Sequence, residues 1–342
     1  KIFQAEGLNW SNIVSGMPLK EKQLGPETLA GKGREVCSRM LGDVICIRTD
    51  PKTAGLFAQL KTFQIISGMK SAGTFSEPFT AVAQPVLKTG CRGLPVAVAL
   101  EGCQLWRYAF CEKDPIGYRF LNLGFKMASS AGSDQYINNP SIIVSPGYYR
   151  AYTKVDKLDW DQVIDAYRKQ KLFATYGPYA IIQINGKDMG ETIEMPKEGG
   201  EIEISIKAGH LYGIKKLELI KNGKVIKEIV PPSENINFTS KFKLPVNETC
   251  WLALKCLGNQ GKYFGNWAHT APVYIQLGNM PMRPEAKEVK YFIKWMKDLK
   301  QAITLLAEKE NWPPKEYKPY LSKVDLAIKV FSDLEKEPRK WK

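Results

Sequence analysis

Hydrophobic positions fall into three textures along the chain. Up to about residue 116, short continuous apolar runs alternate with mixed segments. DVICIR (43–48), FQIISG (63–68), FTAVAQP (79–85) and LPVAVALEG (94–102) are apolar throughout and rich in β-branched residues, which predicts strands buried on both faces. PETLAGKGREVCSRML (26–41) and PKTAGLFAQLKTF (51–63) read as helical or connecting pieces between them. Strands separated by crossover segments predict a parallel α/β sheet or barrel. YRFLNLGFKM (118–127) then reads as a helix leading into the strand ASSAGSD (128–134). That order sets Asp134 just past the C-terminal end of a strand, where α/β folds build their sites. SIIVSPGYYRAYTKV (141–155) reads as strand, turn, strand. Asp159 is placed to cap a helix with Trp160, Val163, Ile164 and Tyr167 on one face, ending near Lys171.

From Tyr176 the pattern changes to strict alternation. AIIQING, EIEISIKAG, IKKLELIKNGKVIKEIV, INFTSKFKLPV, TCWLALKCLG and APVYIQLG predict strands with one face in a core, and Asn185-Gly186 and Asn222-Gly223 predict tight hairpin turns. Such a series predicts a β-sandwich of about 100 residues. The Pro-containing segment 280–287 reads as a linker. Two helices follow, one with Val289, Phe292, Ile293, Met296, Leu299, Ile303 and Leu306 on a stripe. The other runs from about Lys318 to Leu334, with Leu321, Val324, Ile328 and Phe331 in register. The expected organisation is an α/β domain over 1–175, a sandwich over 176–279, and a linker with a helical pair over 280–342.

Composition narrows the function classes. Of 342 residues, 44% are hydrophobic, enough for a packed core, and 49 Lys and Arg against 35 Asp and Glu leave a net charge of +14. That charge suits an acidic partner surface. The basic residues are spread along the chain with no run of five and no nucleic-acid motif, which argues against a nucleic-acid role. Seven cysteines include no CxxC or CxxCH, so neither a thiolate zinc pair nor covalent haem attachment is supported. Cys250 and Cys256 read either as a bridge across one hairpin or as buried free thiols. No apolar run reaches the 18 or so residues that would suggest a membrane span. The opening KIFQAEGLNW, without a methionine, reads as a processed or trimmed start.

Histidine is the decisive count for chemistry, because there are two, His210 and His269, each read as a surface or capping imidazole. There is no G-x-S-x-G elbow and no phosphate loop with G-x-x-x-x-G-K spacing. Asp134 is the candidate general base, beside the plainer reading of a turn or helix cap. Trp106-Arg107-Tyr108, Tyr118-Arg119 and Tyr148-Tyr149-Arg150 form an aromatic and basic set. They are placed to line a pocket for an anionic ligand, with Arg107, Tyr108, Arg119 and Arg150 as its candidates, or to pack as an amphipathic rim.

FLNLGFKMASSAGSD, RAYTKVDKLDWDQVIDAYRKQKLFATYGPYAIIQINGKDMGETI, KKLELIKNGKVIKEI, ETCWLALKC and AHTAPVYIQLG, in that order over about residues 94–310, resemble the CehA/McbA family of metallohydrolases in the PHP superfamily. The resemblance implies a distorted (β/α)₇ barrel, a β-sandwich and a helical extension, with descent from metal-dependent hydrolases of phosphoester or carbamate bonds. It places Asp134 at the acid of a late-strand metal motif, Gly177-Pro178 in the family's barrel-to-sandwich junction, and His269 in its AHTsP motif. It also shows departures. The family's Asp-x-His-x-His strand is absent ahead of Ala5-Glu6-Gly7-Leu8, Gln84-Pro85 stands where the family has His-Pro, and Gln135-Tyr136 follows Asp134 without an imidazole. The resulting expectation is a pseudo-hydrolase kept as a binding or assembly subunit with a protein partner. No cofactor is expected, and zinc, manganese or iron would involve Asp134 if a metal binds. The alternatives are an active hydrolase completed by a missing N-terminal segment or a partner, and a basic module binding anions or nucleic acid.

Overall fold

The computed structural model describes residues 10–14, 22–25, 28–38, 42–47, 73–76, 93–101, 105–106, 110, 115–131, 148–232, 235–259, 266–309 and 311–341. The fold is mixed α/β, with antiparallel sheets stacked as in a sandwich and helices at the C-terminal end. The first sheet has seven strands: β1 (Trp10–Val14), β2 (Lys22–Gly25), β3 (Thr28–Ser38), β4 (Gly42–Ile47), β5 (Gly73–Ser76), β6 (Leu105–Trp106) and β7 (Ala128–Ser129). β1 with β3, β5 with β6 and β6 with β7 are parallel, whereas β3, β4 and β5 run antiparallel in turn.

The sheet expected to be parallel is mixed, because β2, β3, β4 and β5 pair antiparallel, and two further expectations for this part are corrected. Residues 26–41, read as helical or connecting, contain the long strand β3, paired with β1 and β2 at its start and with β4 at its end. Gly31 and Gly33 weaken a helix here, and pairing on both edges decides the outcome. Residues 94–102, read as a buried strand, instead form helix α1 (Leu94–Glu101). A run that is apolar on every side has no period to distinguish strand from helix. Leu94, Val96, Ala97 and Val98 are buried all round because helices cover them. The strands expected at 63–68 and 79–85 lie outside the described residues. Helix α2 (Ile116–Asn122) overlaps the helix expected over 118–127 but starts earlier and ends at Asn122, just before Gly124 turns left-handed at φ 81°.

Next come β8 (Arg150–Thr153), helix α3 (Trp160–Arg168) and β9 (Leu172–Thr175). Asp159 caps α3 by accepting the Gln162 N–H at 2.9 Å. The helix stops at Arg168 rather than near Lys171, because Gln170 turns left-handed at φ 58°. The remaining strands are β10 (Tyr179–Ile184), β11 (Thr192–Met195), β12 (Gly200–Gly209), β13 (Ile214–Lys221), β14 (Lys224–Ile229), β15 (Asn237–Val246), β16 (Cys250–Gly258), β17 (Trp267–Thr270) and β18 (Val273–Leu277). β10, β12 and β15 form a three-stranded antiparallel sheet. An eight-stranded sheet runs β11-β18-β16-β17-β9-β8, with β13 joining β16 and β14 joining β13. It therefore takes in β8 and β9, which precede Tyr176 in sequence. Asn185-Gly186 and Asn222-Gly223 turn with positive φ at both residues, as two-residue hairpin loops require.

Helices α4 (Ala286–Lys309) and α5 (Pro314–Asp333) close the chain. α5 begins earlier than Lys318, with Pro314 in its first turn, where a missing N–H costs nothing. Val289, Phe292, Met296, Leu299 and Ile303 of the expected α4 stripe are buried, as are Val324 and Phe331 of α5. One core holds these side chains with α1, α2 and Trp251, Ala253 and Tyr274 of the eight-stranded sheet. A second holds Ile202, Ile204, Ile206, Leu217, Leu219, Leu252, Leu254, Val273 and Ile275 between the two sheets. β16 is buried on both faces because it belongs to both cores. Cys250 and Cys256 are free, buried thiols on this one strand, so no hairpin bridge joins them. Burial pushes both thiols up to about 12. No helix among the described residues is long and apolar enough to cross a membrane.

Candidate functional site

β17 carries the seam between sandwich and helices. Alternation turns Ala268 into the core between the sheets, while Trp267 and His269 face the opposite way. His269 is fully buried rather than a surface imidazole. Its Nδ1 lies 2.7 Å from the Thr270 carbonyl oxygen, which can only accept, so Nδ1 carries the proton. Nε2 is thereby left to accept, and the Tyr118 hydroxyl donates to it at 2.6 Å. Phe110 covers the ring with centroids 4.3 Å apart. Burial holds the His269 pKa down at about 3, with Lys255 adding to the fall and the Thr270 carbonyl opposing it. Burial, and after it the Glu218 carboxylate, raises the Tyr118 pKa and keeps its hydroxyl protonated. Both imidazole nitrogens are committed to protein groups, and the ring is neutral at physiological pH.

The same face ties α2 to the β13–β14 turn. The Trp251 indole N–H donates to Asn122 Oδ1 at 2.9 Å, and Asn122 Nδ2 donates to the Asn222 carbonyl at 3.3 Å. Asn222 in turn accepts the Trp251 backbone N–H through its own Oδ1 at 3.0 Å.

A second cluster surrounds the end of β7. Tyr149 stacks flat on Tyr176 at 4.2 Å, Trp267 lies against both, and Tyr148 meets Tyr176 edge-on. The Ser129 hydroxyl shares a 3.0 Å hydrogen bond with the Tyr149 hydroxyl. Ser130 Oγ is buried with no hydrogen-bond partner among the described residues. Gly177 and Pro178 form the adjoining bend, where Thr175 Oγ1 accepts the Gly177 N–H at 2.8 Å and its hydroxyl donates to the Pro178 carbonyl. Gly177 has φ +151°, and a Cβ there would stand 2.9 Å from Asn266 Oδ1 and 3.3 Å from His210 Nε2. His210 itself is held in its turn, with Nδ1 3.1 Å from the Gly213 carbonyl oxygen.

Of the sequence-selected residues, Asp134, Gln84, Pro85, Arg107 and Tyr108 lie outside the described residues. Arg119 makes a 2.6 Å ion pair with the buried Glu288 of α4 and places its guanidinium over the Tyr291 ring at 4.3 Å. Arg150 opens β8 opposite Thr175, beside the Tyr149–Tyr176 stack. The two arginines thus serve different surroundings, one on α4 and one on the sheet. Tyr118 was grouped with the basic pocket set, and its place against His269 has no local signal, since 151 positions separate the two. Among the described residues, no three His, Cys, Asp or Glu side chains gather where they could hold a metal ion.

No protein-family model matches the chain, and no curated protein does. Among solved structures, the sulfur carrier protein SoxY from Chlorobium limicola f thiosulfatophilum is similar over 28% of this chain and 79% of that one, at 11% identity and a TM-score of 0.21. A likeness at that level carries neither fold nor function across.

Proposed function

We propose that the chain is a non-catalytic relative of the CehA/McbA metallohydrolases, in which a PHP-type barrel and sandwich are kept as a scaffold for binding or assembly. The observation that carries this reading is His269. It is the histidine of the family-like AHTAP motif, and it is a closed structural tie with both nitrogens used and its pKa at about 3. Arg119 supports the reading as well, because its charge is spent on Glu288 rather than offered to a ligand. The residue types at the other motif positions point the same way, with Gln84 in place of an imidazole and Gln135-Tyr136 after Asp134. On this reading Asp134 is the last acid of a former site, and the net charge of +14 suits a protein partner with an acidic surface.

The test is metal content together with hydrolysis by the purified chain. Substoichiometric zinc, manganese and iron, with phosphodiester and carbamate hydrolysis no faster than in Asp134→Ala, is the expected result. A full equivalent of one of these metals, with hydrolysis that Asp134→Ala abolishes, would overturn the proposal in favour of an active metal-dependent hydrolase.

A further inference from the structure

A cleft of about 390 Å³ lies between the end of α3 and the loop before β11, lined by Lys126, Arg168, Lys169, Gln170, Lys171, Gly190 and Glu191. Four cations face one carboxylate there. Three of them sit at or just past the C-terminus of α3, and their plain role is to offset the helix carbonyls. Lys126 is not explained that way, because it comes from the segment between α2 and β7. It is partly buried, its ammonium donates to Thr192 Oγ1 at 3.3 Å, and it stands 4.9 Å above the Tyr274 ring. Burial lowers its pKa. Lys169 is paired with Asp165 at 2.7 Å, and Lys171 reaches Glu191 at 4.0 Å. Among the described residues, neither Lys126 nor Arg168 has a carboxylate within ion-pair distance.

The wall of the cleft is fixed by backbone rather than by mobile side chains. Gly190 has φ +82°, and a Cβ there would lie 1.9 Å from the Lys169 carbonyl oxygen, so only glycine allows this approach. Gln170 is held left-handed beside it and accepts the Tyr274 hydroxyl at 2.7 Å.

From this arrangement we infer that the cleft binds a phosphoryl dianion, with Lys126 and Arg168 as its two counter-charges. The volume falls in the range of small-molecule pockets and exceeds what a bare oxyanion fills, which favours a small phosphate monoester over free phosphate. Glu191, the one carboxylate in the lining, is already engaged, accepting the Asp188 N–H at 2.7 Å through Oε2 and facing Lys171 through Oε1. The inference stands on the cleft alone and does not depend on the barrel's catalytic history.

Thermal unfolding of the full chain, titrated with inorganic phosphate, with glycerol phosphate and with sodium chloride at matched ionic strength, tests it. Saturable stabilisation by the phosphoryl compounds and none by chloride is expected. Lys126→Gln should weaken the apparent affinity about tenfold, as the loss of a charge-assisted contact does. The exposed Arg168→Gln should weaken it severalfold and serves if Lys126→Gln does not fold. Tighter binding of glycerol phosphate identifies the monoester as occupant, while equal binding identifies free phosphate. Absence of saturable stabilisation would overturn the inference. So would affinities unchanged in both variants, or weakened equally by Lys297→Gln on α4.

Discussion

The two faces of the eight-stranded sheet are built from different chemistry. Toward the three-stranded sheet, β16 presents Cys250, Leu252, Leu254 and Cys256, which meet Ile202, Ile204, Leu217 and Val273 in an aliphatic core. Toward the helices, the alternate positions of the same strand present Trp251 and Ala253, and neighbouring strands add His269 and Tyr274. Polar atoms on that side are paired across elements: Trp251 with Asn122, His269 with Tyr118, and Tyr274 with Gln170. An aliphatic contact tolerates sliding and exchange of similar side chains. Directional hydrogen bonds in a buried setting hold one registration and are costly to break singly. The sandwich face therefore supplies bulk stability, and the helix face fixes how α2 and the loops meet the sheet.

Substitutions separate the two kinds of contact. Trp251→Ala, which removes a fully buried indole and leaves Asn122 without its donor, should cost about 3–5 kcal/mol in urea unfolding. On the other face, Leu252→Ala should cost about 2–5 kcal/mol with no change in the polar network.

Acid should act through the helix face. The native pKa of His269 is about 3, while an unfolded histidine titrates near 6.5. Below about pH 6.5 the unfolded state takes a proton that the native state refuses, so this contribution is whole above that pH and is lost as pH falls toward 3. Stability should drop by about 1.4 kcal/mol per pH unit across that window on this group's account. His269→Gln, measured in parallel, should show a shallower slope. Identical slopes would remove His269 from the acid response.

Tyr118→Phe should cost about 1–3 kcal/mol, because it leaves Nε2 of His269 buried without a donor. A cost near zero would mean that the hydroxyl is not what holds the two elements together. The smallest expected effect is Asp159→Ala, about 1 kcal/mol, from loss of the cap of α3.

Local signals made much of the C-terminal half legible before its structure. Asn-Gly pairs marked the two tight turns, alternation marked β10, β12 and β13, and Asp159 marked the start of α3. Where burial comes from both sides, the signal failed. α1 looked like a strand because helices cover it all round, and β3 looked helical because its identity depends on partners distant in sequence. His269 was visible as a motif residue, but its role was not, since Tyr118 and Phe110 reach it from far along the chain. The proposed cleft was missed for a related reason. Lys126 lies in one of the family-like stretches and Arg168 and Glu191 in another, and only the folded chain brings them to line one cleft.

The central claim is that the family-like histidine is a closed tie rather than a ligand or base. Nitrogen-15 NMR of the imidazoles tests it directly, because the chain has two histidines and His210→Gln assigns both. The account predicts that His269 stays a neutral Nδ1–H tautomer from about pH 8 to about pH 4, and that zinc leaves its resonances in place. Titration near pH 6.5, or a zinc-induced shift at Nε2, would contradict it.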